Sequence, residues 1–272
     1  MATSPAETRA LAAALGGRFT PELLFGIGGG TGFGWFTYGE HATLLTRITT
    51  RETAKESFLL DICERLGIEA RLIVAASSAA LRKKIESARA DGDAVVVCTP
   101  GPAESYGAEH VDIVTDEVLE RAAALPGAAR NRFLAIHPRA IGAAQVRDAA
   151  LAGIRAHVRQ MREGFGPPAT RGSFGIAGLA KWRRAAPGLD TDVRGRLRAQ
   201  VEGRGGGPAM RLAMAAFLTE AVLPRAAELT RRAADAWAAA AEEPSVERID
   251  AVDAAEREAL AVLERSLTPV RA

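Results

Sequence analysis

Residues 25–36 read FGIGGGTGFGWF, with six glycines and four aromatic rings in twelve positions. Glycine costs a fold conformational entropy and is tolerated in such density where the backbone needs φ > 0 or another group approaches it closely. A nucleotide is one candidate for that group. A dinucleotide loop needs glycines at i, i+2 and i+5 directly after a strand, and here the third position falls on Thr31, Phe33 or Trp35. No lysine follows as in a Walker A loop, and the preceding TPELLF reads as a helix, with Thr20 as N-cap and Pro21 in the first turn. Two readings are left. One is a tight backbone crossing with Phe33, Trp35 and Phe36 as core. The other is a site-lining turn, in which Gly28, Gly29, Gly30 and Thr31 offer amide groups to a carbonyl or oxyanion while Phe33, Trp35, Tyr38 and His41 line the same pocket.

The 272 residues suffice for one large domain or two small ones. Thirty-five Lys and Arg nearly balance 33 Asp and Glu, which argues against a nucleic-acid partner or an anionic membrane surface. Cys63 and Cys98 stand in no ligand spacing, so neither a disulfide framework nor a zinc site is expected. No basic leader precedes an apolar core and no apolar run spans a bilayer, so the expectation is a soluble, cytoplasmic protein.

Patterning changes near residue 165. Before it, helical stretches (AETRALAAALGG; ETAKESFLLDICERLG, with Ala54, Phe58, Ile62 and Leu66 on one face; SAALRKKIESARADG) alternate with the strand-like EARLIVA, DAVVVCTP, HVDIV and RFLAIHP. After REGFGPPATRGSFG only helices are expected. One carries Met210, Met214, Phe217, Leu218 and Ala221 and is interrupted at Pro224; a continuation carries Leu229, Ala233 and Trp237; a last one carries Val246, Ile249, Val252, Leu260 and Leu263. The expected class is α/β in the broad sense that includes α+β, with domains at 1–163 and 164–272. The Ala-rich amphipathic C-terminal helices suit a homodimer.

The run TPELLFGIGGGTGFGWF, followed by ATLLTRITT, DICERLGIEARLIVA and ADGDAVVVCTP, resembles the N-terminal domain family named for the butirosin biosynthesis acyltransferase. RGSFGIAGLAKWRRAAPG, GRGGGPAMRLAMAAFLTEAV and RRAADAWAAAAE are similar to the helical domain that usually follows it. The resemblance implies a papain-like, C39-peptidase-like domain that moves an acyl group from a carrier-protein or pantetheine thioester to an amine acceptor. It implies a Cys nucleophile with His and Asp partners, and no cofactor. The Cys position falls on Ser4, with Thr3 beside it; the His position on His110; and the acidic position on His137.

Serine lacks the thiolate reserve of cysteine, so Ser4 needs His110 as general base, with His137 orienting His110 as a hydrogen-bond acceptor. A thioester is already activated, so His110 can equally deprotonate an incoming amine for direct transfer. A binding or scaffold role, and a cyclisation or elimination in the same pocket, are the alternatives. His110 and His137 with Asp112 or Asp116 lack close ligand spacing, and no metal is expected. His157 reads as structural, Cys98 as a buried hydrophobe, and KWRR (181–184) as either a contact for an acidic carrier or a solvated helix face.

Overall fold

The computed structural model describes residues 6–38, 41–45, 56–99, 110–113, 132–164, 172–202 and 206–268. Helices α1 (Ala6–Ala14) and α2 (Pro21–Ile27) lead into the hairpin of β1 (Gly34–Tyr38) and β2 (His41–Leu45). Next come α3 (Glu56–Arg65), β3 (Glu69–Val74), α4 (Ser78–Ala90), β4 (Ala94–Thr99), β5 (His110–Ile113) and β6 (Arg132–His137). Seven helical segments follow among the described residues: α5 (Ala143–Glu163), α6 (Gly175–Ala185), a 3₁₀ turn (Ala186–Gly188), α7 (Thr191–Glu202), α8 (Gly207–Glu220), α9 (Pro224–Glu242) and α10 (Val246–Leu267), the turn counted with them. The main sheet runs β3-β6-β4-β5 with every neighbour antiparallel. Antiparallel pairing with helices gathered around it makes the class α+β.

Alternation along β6 explains its unbroken apolar run. Phe133 and Ala135 pack with Val95 under Leu81, Ile85 and Ala88 of α4, while Leu134 and Ile136 face the main core. That core joins Leu11 of α1, Phe25 of α2, Phe58 and Ile62 of α3, Ile154 of α5 and Met214 and Phe217 of α8, so it runs across the 163/164 boundary. A second core gathers the hairpin with α6, α7, α9 and α10. The hairpin is the element sequence patterning missed. Its cue is two short β-prone runs, WFTY and HATLL, separated by two residues of which the first is glycine. No helix among the described residues is long and apolar enough to cross a membrane.

The same helix ending occurs twice. At α2, Gly29 N–H donates to the Gly26 carbonyl and Gly30 N–H to Phe25, both at 2.9 Å, with Gly29 at φ +105°. At α8, Val222 N–H donates to Thr219 at 3.1 Å and Leu223 N–H to Leu218 at 2.9 Å, with Val222 at φ +58°. This double-bonded turn wants a residue free to adopt positive φ, and β-branched valine is the poorest choice for it. Val222 is 81% exposed, so its side chain gains little packing in return. Val222→Gly is therefore expected to raise the unfolding free energy by about 1 kcal/mol, read from urea midpoints at unchanged slope.

Candidate functional site

The glycine run threads between α5 and α8. As the run advances through Gly26, Gly30 and Gly32, α8 presents Phe217, Met214 and Arg211, one helical face read backwards. A Cβ on Gly26 would overlap the Phe217 ring, and one on Gly30 the Met214 sulfur. From the other side, a Cβ on Gly153 of α5 would overlap the Gly26 carbonyl and Ile27. Downstream, Trp35 N–H donates to the Ser173 carbonyl at 2.7 Å and Gly175 N–H to the Phe33 carbonyl at 2.8 Å, so Ser173 and Gly175 clasp the run's exit. The group held so near the backbone is the protein's own helical half.

Buried polar side chains hold the run's carbonyls. His157 Nδ1 lies 2.8 Å from the Thr31 carbonyl and, as its partner is an acceptor, carries the proton there. Arg211, fully buried, donates through Nη2 to the Gly32 carbonyl at 3.1 Å and through Nε to Glu256 Oε1 at 2.7 Å. Trp237 Nε1 donates to the same Glu256 oxygen at 2.8 Å, and the Arg211 guanidinium lies 4.7 Å from the Trp237 ring centroid. All three tryptophans join one stack with Phe33: Trp182 to Trp237 at 5.5 Å, Trp35 to Trp182 at 6.1 Å and Phe33 to Trp237 at 5.5 Å. Burial pushes the His157 pKa below its ordinary 6.5, with Arg211 adding to that and the Thr31 carbonyl and Glu256 opposing.

These contacts decide several expected roles. Gly28, Gly29 and Gly30 donate their N–H groups to the Leu24, Gly26 and Phe25 carbonyls, each at 2.9 Å. Their use as free oxyanion donors is corrected accordingly: the helix turn at the end of α2 has already taken those protons. Thr31, Phe33 and Trp35 are buried, the two rings among the other aromatics. Tyr38 and His41 face each other in the backbone register that closes the hairpin. Lys181 donates to Ser173 Oγ at 2.9 Å, Trp182 is buried in the aromatic stack and Arg183 pairs with Asp250, so three of the four KWRR residues serve internal contacts. Burial drives the Cys63 thiol up to about 12, which removes it as a nucleophile.

The expected triad positions divide. Ser4 lies outside the described residues, two positions before α1. Helix α1 packs against β5, whose first residue is His110, and against β4. His110 pairs in register with Thr99 at the far end of β4, whereas Ala94 at its near end pairs with Ile136, next to His137. The two histidines thus sit at opposite ends of the sheet, and the expected orientation of His110 by His137 is corrected: about six residues of strand, roughly 20 Å, separate them. His137 instead lies with Nδ1 3.0 Å from Asp93 Oδ1, and Arg71 donates to Asp93 Oδ2 at 2.8 Å. Asp93 is 2% exposed in its side chain and His137 58%, so a buried carboxylate orients an open imidazole. Sequence reasoning passed over Asp93 because it opens the strand as an ordinary turn aspartate. Among the described residues no group of three His, Cys, Asp or Glu is placed to hold a metal ion.

No family model matches the sequence, and no curated protein matches it.

Two outcomes follow for the buried cluster. Arg211→Met leaves Glu256 uncompensated and should cost about 3–5 kcal/mol, with Arg211→Met/Glu256→Gln recovering part of it, measured by urea unfolding. Because folding lowers the His157 pKa from 6.5, the unfolded chain takes the proton more readily. Stability is then fully present above about pH 6.5 and declines below it, and His157→Gln should flatten that part of the pH–stability curve.

Proposed function

We propose that the protein is an acyl-transfer or thioester-processing enzyme whose reacting groups meet where α1 packs on β5. That packing carries the reading, because it sets the helix following Ser4 against the strand that opens with His110. The resemblance to the butirosin acyltransferase family and its papain-like fold expects this pairing of helix start and histidine strand. Helix N-termini also expose N–H groups and a positive pole, suited to charge developing on a thioester carbonyl oxygen. With the N–H groups of Gly28–Gly30 spent, the start of α1 is the better source of such donors.

In the direct route, His110 takes a proton from the amine as its nitrogen attacks the thioester carbonyl. The tetrahedral intermediate collapses with C–S cleavage, and the thiolate leaves with that proton from the imidazolium. In the covalent route Ser4 Oγ attacks first, the thiol departs, and the amine displaces the serine ester. The acyl donor is a carrier-protein or pantetheine thioester, and the acceptor is an amine.

A second reading has a specific observation behind it. The Asp93–His137 pair is an oriented imidazole with Nε2 turned away from its carboxylate, the arrangement that general-base catalysis requires. Intact-mass spectrometry and product analysis with acyl-pantetheine thioesters and added amines separate the possibilities. Ser4→Ala and His110→Ala both losing at least about 100-fold, with an adduct on Ser4, is the covalent result; His110→Ala alone losing it is the direct result. Loss in His137→Ala and Asp93→Asn moves the base to the other end of the sheet, and no adduct or product across the panel overturns acyl transfer.

A further inference from the structure

Gln160 is a buried side chain with no hydrogen bond. It is 3% exposed, and neither Oε1 nor Nε2 has a partner. Buried amides in folded proteins are nearly always paired, since an orphaned donor or acceptor forfeits its solvation, and methionine would fill the same volume without that penalty. Gln160 follows His157 by one helical turn on the face of α5 that meets the glycine run. A Cβ on Gly29 would stand 3.6 Å from Gln160 Nε2, 3.6 Å from Ala156 Cβ and 3.8 Å from Arg65 Nη1. Those are ordinary contact distances, so the amide lies beside Gly29 without being locked against it.

We infer that Gln160 is a specificity residue that reads a neutral secondary amide in the acyl-donor chain, an inference that rests on the thioester reading above. The surroundings select against an ionised group. His157, one turn away, is driven toward its neutral form by burial, Arg211 and Glu256 cancel each other, and half-buried Arg65 already donates to the Ile27 carbonyl. A primary amide offers one acceptor and two donors, and its neutral complement is a group that both donates and accepts. A secondary amide does both, and the pantetheine arm of a thioester donor carries such amides.

The test uses the full chain and Gln160→Met, with calorimetric Tm recorded alone, with S-acetylpantetheine and with S-acetyl-2-mercaptoethanol, a thioester without an amide. The expected result is a Tm for the free variant at or above that of the wild type. S-acetylpantetheine should raise Tm in the wild type only, its affinity for the variant falling at least about tenfold, and the amide-free thioester should shift neither protein. Equal shifts in both proteins, no shift in the wild type, or a clearly lower Tm for the free variant overturns the inference. Product analysis with both thioesters keeps the two failures apart. An amide-dependent shift without product sinks acyl transfer and leaves amide recognition standing, whereas product without an amide-dependent shift sinks the role of Gln160 alone.

Discussion

The fold depends on a backbone crossing that side chains would forbid. Residues 26–34 pass between α5 and α8 so closely that Cβ atoms at Gly26, Gly30 and Gly153 would occupy space already filled. The approach leaves polar backbone inside a core, and the protein answers with buried side chains: His157 for the Thr31 carbonyl and Arg211 for the Gly32 carbonyl. Each answer brings its own requirement. A buried guanidinium needs a counter-charge, which Glu256 supplies from α10, and Trp237 satisfies the same carboxylate oxygen while lying under the guanidinium. One crossing thereby organises four helices.

Much of the secondary structure was legible in local chemistry. Thr20 ahead of Pro21 marked the start of α2, and the Thr20 hydroxyl does accept from the Leu23 N–H at 3.0 Å. The four-residue spacing of Phe58, Ile62 and Leu66 marked α3, and Pro224 marks the break between α8 and α9. The hairpin was obscured because its first strand begins inside the glycine run, where flexibility masks the alternation of Trp35 and Phe36.

The site was less legible, for a physical reason. Hydrogen bonds between distant positions leave no periodic trace: Asp93 and His137 are 44 residues apart, and Thr31 and His157 are 126 apart. His157 was readable as structural from its helical setting, although its partner was not. The glycines announced a close approach, but sequence could not distinguish a substrate from another part of the chain. Which end of a strand a histidine occupies is a matter of register, and register placed His110 and His137 apart.

The aromatic stack has a spectroscopic consequence. Since Trp35, Trp182 and Trp237 share one cluster, and the strands and helices around the main sheet carry none, intrinsic fluorescence reports on the junction of the hairpin with the helical half and is blind to the sheet. Far-ultraviolet dichroism sees both. If the two probes melt at different temperatures, the sheet and the glycine crossing come apart as separate cooperative units; if they coincide, the shared core binds them into one.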